Sequence, residues 1–189
     1  GRRRIGKTSL VLHAYKDMPF LYFFVSKKAE TALCEDYQQE IITKLGVPLL
    51  GKVSRFADIF EYIMQIAKQQ SITLFIDEFQ EFLRINASIY SDMQRIWDLH
   101  KNEVHINLIV GGSVQSLIHK IFESNKEPLY NRQTAIIRVN KFPPSVLKEI
   151  LAYHNPNYTQ DDLLALYSFT GGVAKYVDIC VKPISQWDE

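Results

Sequence analysis

The absences in this sequence narrow it first. Only two of its 189 residues are cysteine, Cys34 and Cys180. They are too few and too far apart for a disulfide framework, and a reducing, cytoplasmic compartment is the expectation. Glycine (8) and proline (7) are scarce, which excludes collagen-like, low-complexity and disordered chains. No apolar run approaches the length of a membrane span, so no membrane partner is expected. Neither sign of charge dominates: 22 Lys and Arg stand against 21 Asp and Glu, for a net charge of +1. Bulk charge therefore points to no polyelectrolyte partner. The five histidines show no zinc-ligand spacing with cysteine or with one another. The basic start, Gly-Arg-Arg-Arg, does not read as a signal peptide, so the sequons at Asn86 and Asn157 are taken as chance matches.

What is present is 47% hydrophobic and 12% aromatic, enough for a full core in one domain or one domain with a small appendage. The first eight residues, Gly1-Arg2-Arg3-Arg4-Ile5-Gly6-Lys7-Thr8, fit the phosphate-binding loop G-x-x-x-x-G-K-[ST]. The glycines let backbone N–H groups turn inward around a β-phosphate. Lys7 brings a cation to the β- and γ-phosphates, and Thr8 offers a hydroxyl to Mg²⁺. A helix from about Lys7, through Ser9 to Tyr15, aims its positive end at the anion. Such a loop follows a central strand, and the sequence opens on the first Gly. The expectation is a protein that continues further in the N-terminal direction.

Downstream, the apolar run Pro19–Ser26 reads as a buried strand. Helices are expected over 30–45, ended by Gly46-Val-Pro48, and over about 55–69, capped by Ser54. Ile72–Asp77 reads as a short buried strand. Helical patterns cover 78–84 and 88–103. The run 106–110 is a strand followed by a helix at 114–123, and 135–139 is a further strand. Pro143-Pro144 opens a helix to about Tyr153. Thr159 caps another to Phe169, Gly171-Gly172 breaks it, and a last helix covers 173–181. Strands and helices alternate to about residue 140 and helices follow alone. This is a parallel α/β sheet over 1–140 with a helical lid over 141–189.

The second chemical motif is Leu74-Phe75-Ile76-Asp77-Glu78. At the carboxyl end of a strand beside the phosphate loop, Asp77 orients Mg²⁺ through water and Glu78 is the base that positions the attacking water. Alone, such acids equally suit a helix start; paired with the upstream loop they form a Walker B motif. Ser113 ends the neighbouring strand, either touching the γ-phosphate or attacking water, or simply completing a Gly-Gly-Ser turn. Arg132 ends the loop before residues 135–139. It either stabilises transition-state charge on a neighbouring subunit's nucleotide or is an ordinary surface arginine.

Together these residues resemble the archaeal-type ATPase family, within the AAA+/STAND group of P-loop NTPases. Gly1 to Thr8 is similar to the family's GRRRxGKT loop. Leu74-Phe-Ile-Asp-Glu-Phe-Gln80 resembles its Walker B, and Val110-Gly-Gly-Ser113 its sensor strand. Pro128-Leu-Tyr-Asn-Arg132 resembles its PLYGR segment, Lys141-Phe-Pro143 its PF turn, and Thr170-Gly-Gly-Val-Ala-Lys-Tyr-Val177 its TGGxPxYL lid motif. Asn131 stands in place of Gly, and Ala174 in place of Pro. The resemblance implies a three-layer P-loop NTPase sandwich with strand order 5-1-4-3-2, its first strand absent from this chain, and a lid carrying Lys175 as a candidate sensor. It also implies ATP and Mg²⁺, and a C-terminal winged-helix or nuclease-like region that this chain lacks.

The function expected is Mg²⁺-dependent ATP hydrolysis that switches attached domains. Phosphate would be held by Gly1, Arg2, Arg3, Arg4, Ile5, Gly6, Lys7, Thr8 and Ser9. A nucleotide switch without hydrolysis, a DNA-associated ATPase module and a small-molecule kinase are the alternatives, and a homo-oligomer is compatible with all of them.

Overall fold

The computed structural model describes residues 4–47 and 51–182. Gly1, Arg2 and Arg3 lie outside the described residues, as do Pro48 and residues 183–189. The chain forms two compact units, residues 10–136, and residues 4–9 together with 137–182. The division differs from one at residue 140 in grouping the phosphate-loop segment with the C-terminal helices.

In the first unit, β1 (Phe20–Phe24), β2 (Ile72–Asp77) and β3 (Ile106–Val110) form a parallel sheet in the order β1-β2-β3 among the described residues. Every residue of β2 is buried, as a central parallel strand covered on both faces must be. Its alternate residues Leu74 and Ile76, with Leu21 and Phe23 of β1, enter a core with helices α2 (Glu30–Leu45), α3 (Phe56–Ala67) and α5 (Ser88–His100). Strand β1 is less buried than its apolar run predicts. Its residues alternate in exposure, and Phe24 is about half exposed. Helix α2 covers its outer edge instead: the Tyr37 hydroxyl donates to the Phe24 carbonyl at 3.1 Å and the Glu40 carboxylate accepts the Tyr22 N–H at 3.5 Å. Such side-chain caps blunt an edge that would otherwise recruit another strand.

Helix bounds follow the apolar spacing within a few residues, and Gly46 closes α2 at φ 65°, in the left-handed conformation glycine favours. Ser54 is not the cap of α3. The first helical amide, Phe56 N–H, is accepted by Glu30 Oε1 at 2.8 Å, while Glu30 Oε2 accepts the Asn86 amide at 2.8 Å. A single carboxylate thus ties the starts of two helices to the turn that enters α5. The expected helix 78–84 divides into a single 3₁₀ turn (Phe79–Glu81) and a short α4 (Phe82–Ile85). Residues 135–139 form no strand. Their β-branched run has the propensity for one, but a strand needs a neighbour for its ladder bonds, and among the described residues none pairs with it.

In the second unit, α7 (Pro144–His154), α8 (Gln160–Thr170) and α9 (Ala174–Val181) pack around Leu147, Leu166 and Val177. Thr159 caps α8 as expected, and the structure shows the cap to be a reciprocal capping box with Asp162. Gly171 and Gly172 follow at φ 52° and 74°. The Phe142 N–H donates to the Gly172 carbonyl at 2.8 Å. A Cβ on Gly172 would lie on the Phe142 carbonyl oxygen, whereas one on Gly171 would meet only the mobile end of Lys141. Gly172→Ala should therefore cost about 2–4 kcal/mol by urea denaturation, from backbone strain plus overpacking, and Gly171→Ala only about 1 kcal/mol. Equal costs at the two positions would remove the contact with Phe142 as the cause.

Candidate functional site

The acids sit where β2 runs out of sheet. Asp77 is its last residue and is only 3% exposed. Glu78 then takes a left-handed conformation (φ 55°, ψ 38°) that non-glycine residues rarely adopt. The neighbours on either side explain how it is held. Asp77 Oδ1 accepts the Glu78 N–H at 2.9 Å. The Phe79 N–H donates to Gly111 O at 2.9 Å, and Gly111 N–H donates to Ile76 O at 2.8 Å. Phe79 is fully buried against Phe82, Tyr90 and Phe122, and its carbonyl accepts the Tyr90 hydroxyl at 2.9 Å. Strain of this kind persists only where the surroundings over-determine it.

The side chains converge on the same turn. Glu78 Oε2 accepts two hydrogen bonds, from Ser113 Oγ at 2.7 Å and from Gln80 Nε2 at 2.5 Å. Asp77 Oδ2 accepts a long bond of 3.5 Å from the Tyr22 hydroxyl. Burial, and then the neighbouring charges of Asp77 and Glu78, push the Tyr22 phenol up to about 12, which reinforces the donor form a phenol already has at neutral pH. Gly111 and Gly112 let this packing close: a Cβ on Gly111 would be 2.8 Å from Phe75 and 2.9 Å from Asp77 Oδ1. Asp77, Glu78 and Ser113 are thus brought together as their spacing predicts. Tyr22 and Gln80 carry no role in the sequence reading. Tyr22 reaches Asp77 only through the register that pairs Tyr22 with Phe75 and Phe24 with Asp77. The available signals for Gln80 are its place at the end of the Walker B-like segment and an amide set between Phe79 and Phe82.

The phosphate-loop segment belongs to the other unit. Ile5 is buried, Gly6 stands at φ 86°, and Lys7 and Thr8 open helix α1 (Lys7–Ala14) with Ser9 exposed in its first turn. Arg4 is itself at φ 66°. Its carbonyl accepts the Lys175 N–H at 3.1 Å, and its guanidinium donates to the Tyr176 hydroxyl at 2.9 Å and lies 5.7 Å from that ring's centre. A Cβ on Gly6 would stand 3.5 Å from that of Ala174, so conformation, not space, demands glycine there. Lys175 touches this segment through its amide, while its ammonium lies 4.0 Å from Asp178. Ala174 starts α9 at its first position. That is where the proline of the lid motif would also fit, since the first-turn N–H has no helical acceptor.

Arg132 is neither free nor an idle surface group. It holds Asp98 of α5 at 2.7 Å and the carbonyls of Pro128 and Tyr130 at 2.8 and 3.1 Å, which anchors the 124–133 loop. Asn131 beside it is at φ 55°, the conformation its glycine counterpart would adopt and that asparagine tolerates. The hydrogen bond from Arg132 lowers the Asp98 carboxyl below the usual aspartate range. The resulting stability is present above the ordinary aspartate value, about 3.9, and is lost as pH falls through the depressed one. Asp98→Asn should lower the melting temperature at pH 7 by about 1–3 °C, as befits a half-exposed pair. The gap should close in strong acid; an equal gap at both pH values would exclude the carboxylate charge as its source.

A family model described as an ATPase domain predominantly from Archaea matches residues 1–179. An uncharacterised protein of Methanocaldococcus jannaschii is 27% identical over 188 residues, covering all of this chain and 39% of that protein. A second from the same organism is 32% identical over 56 residues, 30% of this chain and 54% of that one. The chain thus spans well under two thirds of the curated relatives it matches. Among solved structures, a Walker-type ATPase of Pyrococcus abyssi superposes with a TM-score of 0.73 at 17% identity, over 100% of this chain and 62% of that one. Cdc6p from Pyrobaculum aerophilum gives 0.60 at 19% identity, over 95% of this chain and 52% of that one. These two likenesses show an α/β fold with a parallel sheet. The match over residues 1–179 decides the family: this chain belongs to the ATPase domains found predominantly in Archaea.

Proposed function

We propose that this chain is a nucleotide-hydrolysing core that uses ATP and Mg²⁺. The observation that carries the reading is the Asp77–Glu78 turn at the end of β2, with Glu78 bonded to Ser113 beyond the end of β3. Membership of an ATPase domain family supplies the substrate class. In this reading Gly6, Lys7 and Thr8 hold the phosphates, with the helix start and the ammonium facing the anion. Glu78 accepts the proton of the attacking water, and Ser113 steadies the carboxylate that does so. The Tyr22 hydroxyl fixes one oxygen of Asp77.

The donor set suits Mg²⁺. That ion keeps several waters and takes one or two protein oxygens plus phosphate rather than a full protein cage. Buried Asp77 would offer one such oxygen, and the loop motif names the Thr8 hydroxyl as another; no cluster of three or more His, Cys, Asp or Glu able to cage a metal exists among the described residues. When bound, the metal neutralises charge on the transferring phosphoryl group.

A conformational output is the second part of the reading. The contacts from Arg4 to Lys175 and Tyr176 join the phosphate-loop segment to α9 inside one unit, so phosphate binding would bear on the C-terminal helices directly. Lys175 would follow as part of that motion. Arg132 needs no neighbouring subunit in this scheme, since its contacts serve the loop.

Glu78→Gln in the full-length protein should lower phosphate release by about 10²–10⁴-fold, the worth of a general base, with ATP binding retained. Lys7→Ala should abolish binding itself. Unchanged turnover in Glu78→Gln would favour a switch without hydrolysis. Acceptor-dependent loss of ATP without phosphate release would favour a kinase.

A further inference from the structure

Gln80 is 1% exposed, in a turn whose neighbours Phe79 and Phe82 are core residues. A buried amide must be hydrogen-bonded or it destabilises the fold. Its Nε2 donates to Glu78 Oε2 at 2.5 Å, but its Oε1 is buried without a hydrogen-bond partner. An amide that satisfies only one end is not there for stability alone. The Glu78 carboxylate can only accept, so it takes the Nε2 end and leaves Oε1 facing away from it. A Cβ on Gly112 would stand 2.5 Å from Gln80 Oε1 and 2.5 Å from Ile118 Cδ1, so Gly112 and the first turns of α6 (Gln115–Glu123) close around the amide.

Both donors, Gln80 Nε2 and Ser113 Oγ, bond the same carboxylate oxygen of Glu78. A carboxylate that accepts two bonds at Oε2 has its plane and rotation set while Oε1 keeps its own lone pairs. That is what a base needs if it is to take a proton from water in one direction only. The strained backbone at Glu78 adds to this, since the residue cannot relax its side chain by an ordinary rotation of the main chain.

We infer that Gln80 is a positioning residue for Glu78, holding the carboxylate by Oε2 so that Oε1 meets the attacking water. The inference rests on Glu78 being the base. Gln80 touches neither nucleotide nor metal in this scheme and acts only through Glu78.

The test is a double-mutant cycle in the full-length protein, read by single-turnover phosphate release with ATP and Mg²⁺. Gln80→Met removes the donor at similar volume and should lower the rate about 10- to 100-fold, the effect of a base misplaced by about an ångström. Binding of a fluorescent ATP analogue should stay within about twofold of the parent. In the Glu78→Gln background the same change should cost less than about twofold, because the residue it positions is already gone. Equal losses in both backgrounds would make Gln80 a structural residue and overturn the inference. So would a Gln80→Met rate within about twofold of the parent. Gln80→Glu keeps the amide's shape and replaces the donor with a like charge, so it reads the same cycle should the methionine variant fail to melt cooperatively. If Glu78→Gln itself leaves turnover unchanged, the base reading falls and the inference falls with it. A severe Glu78→Gln loss beside an indifferent Gln80 removes the inference alone.

Discussion

The burial of Phe79 governs the site. Its ring fills the centre of an aromatic chain that runs from Phe23 and Tyr37 through Phe56 and Phe82 to Tyr90 and Phe122. With the ring committed, its amide meets Gly111 and its carbonyl meets Tyr90. The residue before it must then bridge from the end of a strand to an anchored turn in one step. Glu78 does this in a left-handed conformation, with its carboxylate meeting Ser113 and Gln80. Core packing, backbone strain and the aim of the acid are therefore one arrangement. Gly111 and Gly112 belong to it as well, since any side chain there would push on Phe75, Asp77 or Gln80.

A similar economy holds in the other unit. The motif Gly171-Gly172-Val-Ala-Lys-Tyr176 contributes two left-handed residues that bring the chain against Phe142, then a helix start whose first residues meet Arg4 and Gly6. Three segments far apart in sequence contribute mainly backbone to this contact. Gly172 is required by space, since a Cβ there would fall on a carbonyl oxygen, and Gly6 and Gly171 by their positive φ.

Much of this was legible in the residues themselves. Pro143-Pro144, Thr159 and Gly171-Gly172 marked the starts and stops of α7, α8 and α9 to within about a residue, and the acid-ended apolar run located β2 from Ile72 to Asp77. Thr159 announced itself as the cap of α8, and the fold added the reciprocal bond with Asp162. What escaped depends on partners distant in sequence. The run 135–139 looks like a strand because local propensity cannot say whether a neighbour exists to pair with it. Ser54 looks like a cap because nothing local shows that Glu30 already takes the amide. Gln80 and Tyr22 reach the acids through turn geometry and register, neither of which leaves a period. Arg132 was open between a catalytic and an ordinary surface arginine, and its anchoring of a loop onto Asp98 required the fold.

The carboxylate of Glu30 links events that would otherwise be separate. It accepts the Phe56 amide with one oxygen and the Asn86 side chain with the other. A movement of that carboxylate at the start of α3 therefore disturbs the entrance to α5 as well. The two helix starts are coupled through one side chain, and an opening that displaces it loosens both. In amide hydrogen exchange the Phe56 amide and those of the turn at residues 86–88 would keep a common clock, although thirty residues separate them.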